Sequence, residues 1–63
     1  MRLTAQFESY LNRMLEQFLA KKLTVSETYQ FILDCYYSNY VDKLPPDIKK
    51  LLVDRARELE KLH

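Results

Sequence analysis

Few residues in this chain have the side chains that catalysis would need. Cys35 is the one cysteine and His63 the one histidine, and a thiolate activated by a histidine is a common enzymatic nucleophile. His63 is the last residue, however, and Cys35 stands in an apolar stretch with no basic neighbour in the sequence to lower its pKa. We therefore expect Cys35 to be a buried and unreactive thiol.

Metal binding and acid–base catalysis also lack a suitable pattern. A structural zinc site takes four ligands, mainly cysteine and histidine, and one residue of each type does not complete it. Carboxylates such as Glu58 and Glu60 lie two positions apart, so on a helix they point to different faces. The sequence thus predicts a protein that is not an enzyme, with no catalytic residue, no metal and no cofactor.

Tyrosine is the residue type that stands out. The chain has five tyrosines, three phenylalanines and no tryptophan, and four of the tyrosines lie within residues 29–40. Tyrosine rings fill protein cores, but tyrosine is also enriched in the hot spots of protein interfaces. Because so short a chain cannot bury all of these rings, we predict a partner-binding surface formed by Phe31, Tyr36, Tyr37 and Tyr40. The alternative for each of them is a place in the core.

Residues 21–30 raise a second possibility, which is binding to nucleic acid. The segment runs from two lysines through Thr24, Ser26 and Thr28 to Gln30, as in a turn that leads into a recognition helix. The helix that follows is acidic and has none of the Arg or Lys side chains that dominate contacts to phosphate and guanine. A helix-turn-helix-like DNA-binding regulator is therefore the alternative function, with nucleic acid the less favoured partner.

Composition excludes several other classes of protein. Of the 63 residues 48% are hydrophobic, which argues against disorder, and the formal net charge of +1 gives no general attraction to nucleic acid or anionic lipid. One cysteine cannot form an internal disulfide, which favours a reducing, cytoplasmic location. No stretch approaches the roughly 20 apolar residues that a membrane span needs, so we expect neither secretion nor a membrane.

Helical spacing of the apolar residues is the main structural signal. Glycine is absent, which argues against phosphate-binding loops and against turns that need positive φ. The breaks fall near Thr24, which opens a capping box with Glu27, and at Pro45-Pro46. We predict one all-α domain over residues 1–63, a small three-helix bundle. Its helices span about 5–22, 25–42 and 46–62.

The second predicted helix is apolar on two sides. One broad face carries eight apolar residues: Val25, Tyr29, Ile32, Leu33, Tyr36, Tyr37, Tyr40 and Val41. Phe31 and Cys35 add an apolar strip on the far side. A helix that is apolar on two sides has neighbours on two sides, so this helix is predicted to lie in the middle of the bundle or along the seam of an oligomer.

Charge is divided unevenly among the three segments. Residues 1–23 carry four bases and two acids, residues 24–44 one base and three acids, and residues 45–63 five bases and four acids. An acidic middle between two basic flanks predicts that charge complementarity helps to orient the packing.

These observations predict a small protein–protein interaction module, an adaptor, inhibitor or regulatory subunit that acts through an aromatic helical surface. Its partner is another protein or a second copy of the chain, with coiled-coil-like packing. Homodimerisation is the first hypothesis, because the chain has more apolar surface than its length can hide. In that case the third helix packs within its own chain or is exchanged between chains.

Overall fold

The computed structural model describes residues 3–61 of the chain. Its elements are α1 (Ala5–Leu19), α2 (Val25–Tyr37), a 3-10 helix (Tyr40–Lys43) and α3 (Pro46–Glu60). Helix α2 packs against both α1 and α3, which make few contacts with each other. No strand occurs in the part of the chain that the structure describes. The predicted all-α three-helix fold, with α2 in the middle, is therefore confirmed.

Helix α1 begins where the sequence predicted and ends three residues earlier. The side-chain oxygen of its N-cap, Thr4, accepts a hydrogen bond of 3.1 Å from the backbone N–H of Phe7. At the other end Lys21 adopts a left-handed conformation with φ of 60°. Its N–H donates to the carbonyl of Phe18, and that of Lys22 to the carbonyl of Gln17, which is the Schellman pattern. The predicted end at Lys22 was wrong because this turn closes the helix first.

Helix α2 has the predicted start and a different end. Thr24 and Glu27 form the capping box in both directions, with N–H to oxygen distances of 3.0 and 3.1 Å. The helix stops at Tyr37 because Asn39 takes a left-handed conformation with φ of 61°. Asparagine tolerates that region better than other residues with a Cβ. The predicted extension to residue 42 was wrong, and a separate 3-10 turn follows instead.

Helix α3 follows the two prolines. Pro45 is its N-cap with an extended backbone, Pro46 occupies the first helical position and Asp47 lies in the first turn. The last helical residue is Glu60. The predicted end at Leu62, like the candidate His63, lies outside the described residues.

The core is centred on α2. Eight buried residues form one cluster, to which α1, α2, α3 and the intervening turn all contribute: Leu11, Phe31, Ile32, Cys35, Tyr40, Leu44, Leu52 and Leu59. Two polar residues, Thr28 and Ser38, are buried on the same side of α2. Their hydroxyls each donate a 2.7 Å hydrogen bond to the carbonyl four residues earlier, so neither polar group is left unpaired.

The sequence predicted neighbours on both apolar sides of α2, whereas the structure covers one side and leaves much of the other exposed. The strip through Phe31 and Cys35, with Ile32 beside it, is the side that packs into the core. Half of the residues of the broad face are instead exposed, and Val25 and Tyr37 are 49% and 67% exposed. The chain forms its core from the narrower strip together with Ile32 and Tyr40, and leaves the other three tyrosines of this segment outside.

Side chains also tie the 3-10 turn to α1. The hydroxyl of Tyr40 donates a hydrogen bond to the side-chain oxygen of Asn12, and Lys43 pairs with Glu8. Arg55 and Glu58 form a second ion pair on α3, with a nitrogen–oxygen distance of 2.7 Å. The pair between elements joins a base of residues 24–44 to an acid of α1.

None of the helices within residues 3–61 is both long enough and apolar enough to span a membrane.

Candidate interaction surface

The exposed side of α2 is the candidate surface, and we call it the aromatic face. It comprises five residues, of which Leu33 is half-buried and the others are exposed: Val25, Tyr29, Leu33, Tyr36 and Tyr37. At 100° per residue they occupy one third of the helix circumference. The opposite side of α2 lies in the core, so packing holds the aromatic face in a fixed orientation.

The aromatic face has relief as well as apolar character. Tyr36 and Tyr37 are adjacent in the sequence, so their rings leave the helix about 100° apart. Together with Leu33 they line a shallow depression of about 250 Å³ at the C-terminal half of the helix. The N-terminal half carries Tyr29 and, at its start, the smaller side chains of Val25 and Ser26, all exposed. The helix thus has small side chains at its first residues and two adjacent tyrosines at its last.

The four residues predicted to bind a partner fall into two groups. Tyr36 and Tyr37 lie on the aromatic face, 45% and 67% exposed. Phe31 and Tyr40 are only 1% and 3% exposed. The placement of Phe31 as a surface anchor is corrected by its tilted contact with Phe18 at 5.5 Å between ring centroids, inside the core. Val25, Tyr29 and Leu33 complete the surface, and their spacing of four residues was already visible in the sequence.

Cys35 is fully buried, as the sequence predicted. Burial, with a smaller contribution from the charge of Asp34, raises the pKa of this thiol from 9.0 to about 12. At neutral pH the sulfur is therefore protonated, out of contact with solvent and a poor nucleophile. Within residues 3–61, no three His, Cys, Asp or Glu side chains lie close enough together to hold a metal ion.

A second opening is lined by the end of α1, the turn that follows it, Thr28 of α2 and the middle of α3. It encloses about 430 Å³, and its walls include Phe18 and Leu23 with the exposed side chains of Leu19 and Leu51. Its charged wall combines both signs, because Lys21 and Arg55 stand near Asp54 and Glu58. The sequence did not predict this opening.

The segment proposed for nucleic-acid binding is largely engaged in local structure. Thr24 and Glu27 bind each other's backbone in the capping box, and Thr28 is buried. The Gln30 amide donates to Asp34 over 3.0 Å. Ser26 and the two lysines of the preceding turn are exposed and take part in none of these hydrogen bonds.

Comparisons with protein-family models, with curated proteins and with solved structures gave no match. The class of the protein is therefore set by its fold, a small all-α three-helix bundle.

Proposed function

We propose that this chain is a protein–protein interaction module and that the aromatic face of α2 is its contact surface. The observation that carries the proposal is the placement of Tyr36 and Tyr37, which are exposed on a helix whose other side already supplies the core. Aromatic side chains on one ordered face are typical of the centres of protein interfaces.

The size of the surface supports this reading. An aromatic side chain offers roughly 150–250 Å², so Tyr29, Tyr36 and Tyr37, at 43%, 45% and 67% exposure, together present on the order of 300 Å². Val25 and Leu33 extend that area along the same face. The patch thus reaches the size of the largest apolar patch on a typical monomer, about 300–600 Å², which is often a functional site.

The rigidity of the surface supports the proposal as well. Helix α2 is fixed at its start by the capping box of Thr24 and Glu27 and along its length by Phe31 and Cys35 in the core. Presenting tyrosines on a fixed helix lowers the conformational entropy that is lost on binding. A partner therefore meets a preformed surface.

The proposal is tested by site-specific photo-crosslinking in cells that naturally contain the protein. A benzophenone amino acid replaces Tyr37 in one variant and Tyr10 in a matched control, because Tyr10 is a tyrosine of α1 with a comparable exposure of 42%. We expect an adduct from position 37 that survives nuclease treatment and that is lost when Tyr36→Ala is added. Position 10 should give none of this adduct.

Two results would contradict the proposal. If position 37 gives no more adduct than position 10, the aromatic face is not a contact surface. If the adduct from position 37 disappears on nuclease treatment, the face contacts nucleic acid, and the alternative of a DNA-binding regulator replaces the proposal. Binding to DNA should then weaken steeply with added salt.

A further inference from the structure

We propose that the occupant of the aromatic face is the same face of a second copy, with the two α2 helices running antiparallel about a two-fold axis. This inference rests on the proposed function and names its partner. A two-fold interface is formed by one patch meeting itself, so the test of the idea is whether the aromatic face complements its own rotated image.

The order of large and small side chains along α2 gives that complementarity. When two copies are antiparallel with the axis near position 31, Val25 lies opposite the partner's Tyr37 and Ser26 opposite the partner's Tyr36. Tyr29 then lies opposite the partner's Leu33. Each large side chain at the C-terminal end thus meets a small one, and Tyr29 lies beside the 250 Å³ depression that Leu33, Tyr36 and Tyr37 line. A parallel arrangement would place tyrosine against tyrosine.

The charges of α2 permit this pairing. Glu27 and Asp34 are the two acidic residues of α2, which has no basic residue. Each lies two positions before a tyrosine of the aromatic face and points about 160° away from that tyrosine around the helix, whereas Asp34 is about 60° from Tyr37 and borders the face. The face itself carries no formal charge, and two copies meet there without bringing like charges together.

The area also fits what a dimer requires. A standard interface buries about 800 Å² on each partner, of which slightly more than half, about 450 Å², is apolar. The three tyrosines supply roughly 300 Å² of this, and Val25 and Leu33 add to it. The aromatic face alone thus comes close to the apolar centre of a standard interface, with polar neighbours such as Ser26 and Gln30 at the rim.

The test uses the purified full chain and disulfide trapping. Val25→Cys and Tyr37→Cys are made as two separate proteins, and Cys35 stays in place because it is buried. Residues 25 and 37 lie about 18 Å apart along one helix, which is too far for a disulfide between like positions in the antiparallel pair. We expect a covalent dimer, of twice 7.6 kDa, from the mixture of the two proteins and none from either protein alone.

Sedimentation of the unmodified chain gives an independent measurement. We expect a reversible monomer–dimer equilibrium at micromolar concentrations, with a dissociation constant at least about 30-fold higher for Tyr37→Ala. Tyr10→Ala, the matched variant outside the face, should leave it unchanged. Circular dichroism of both variants checks that the helices are retained.

Three outcomes would overturn the inference: a particle of 7.6 kDa throughout the micromolar range, self-crosslinking of Val25→Cys or of Tyr37→Cys alone, or an equilibrium that Tyr37→Ala does not shift. If the pure chain is monomeric while position 37 still gives protein adducts in cells, the partner is a different protein. The proposed function then stands and only the self-pairing fails. If position 37 gives no adducts, the proposed function fails first.

Discussion

The hydroxyl of Tyr40 donates a hydrogen bond to the side-chain oxygen of Asn12, across 28 residues of sequence. The ring of Tyr40 is in the core, 3% exposed, whereas Asn12 is exposed. The ring of Tyr40 thus packs in the core under the 3-10 turn, and its hydroxyl links that turn to α1. Tyr40 therefore stabilises the fold, whereas Tyr36 and Tyr37 are exposed on the aromatic face.

We expect Tyr40→Phe to lower the free energy of unfolding by about 1 kcal/mol, because the hydrogen bond is lost while Asn12 can turn to water. Tyr40→Ala should cost about 3 kcal/mol or more, since it also leaves a cavity. Urea unfolding of both variants measures the two values. Asn12→Ala in the Tyr40→Phe background should add almost nothing, and a fully additive effect would show that the two groups do not interact.

The two left-handed residues make a separate prediction about stability. Lys21 and Asn39 are the described residues with positive φ, and each ends a helix. The left-handed conformation costs a residue with a Cβ about 1–2 kcal/mol, because the Cβ comes close to the backbone. The cost is lower for asparagine and absent for glycine. Lys21→Gly should therefore raise the free energy of unfolding by about 1 kcal/mol, and Asn39→Gly should change it little. Thermal unfolding gives both values.

Lys22→Gly is the control for that experiment. Lys22 directly follows the left-handed position but does not share its positive φ, so glycine there only adds freedom to the unfolded chain. It should be neutral or destabilising. Equal stabilisation by Lys21→Gly and Lys22→Gly would mean that the backbone at Lys21 carries no strain.

The end of α2 and the choice of its buried side show where prediction from the sequence stopped. The signals for the starts of α2 and α3 were local. The capping box at Thr24 and the two prolines lie within a few residues of the N-termini of these helices, and both helices begin as predicted. Asn39 carried a weak signal for the end of α2, since only its tolerance of positive φ marks it. That signal could not outweigh the apolar residues that continue beyond it.

The sequence also did not show which side of α2 is buried, for a different reason. Thr28 and Ser38 look polar in a sequence pattern, yet their hydroxyls bind carbonyls of the same helix and leave a surface that can be buried. The tyrosines count as apolar, yet their hydroxyls allow them to face water. Which side faces the core depends on the shapes of α1 and α3, and that information does not lie within α2. Of the four residues named from the sequence for the candidate surface, Tyr36 and Tyr37 are exposed, whereas Phe31 and Tyr40 are buried.

The inside–outside assignment of α2 predicts opposite results for two aromatic residues of the same helix. Phe31→Ala should cost about 3–5 kcal/mol, because Phe31 is 1% exposed and packs on Phe18. Tyr37→Ala should change the free energy of unfolding of the monomer by less than about 0.5 kcal/mol, because two thirds of its surface is already in water. Urea unfolding at a protein concentration below that of dimer formation compares the two. A large loss for Tyr37→Ala would place this ring in the core.

Cys35 makes the stability of the fold sensitive to alkaline pH. Burial raises the pKa of its thiol from 9.0 to about 12, so between these values the unfolded chain has released a proton that the native chain retains. The stabilisation is complete below pH 9.0 and is lost as the pH rises toward 12. Burial also raises the pKa of Tyr40, with smaller contributions from Cys35 and Glu8. The titration of Tyr40 therefore also lowers the free energy of unfolding as the pH rises.

We therefore expect the free energy of unfolding of Cys35→Ala to fall less steeply above pH 9.0 than that of the unmodified chain, with some slope left from Tyr40. Cys35→Ala removes the titrating thiol and adds at most a small cavity, whose cost does not depend on pH. The difference between the two unfolding curves, measured in urea at several pH values, isolates the thiol. If the free energies of unfolding of the two proteins fall in parallel with pH, the thiol of Cys35 has the same pKa in the folded and the unfolded chain. We do not expect this result, because Cys35 is completely buried in the folded chain.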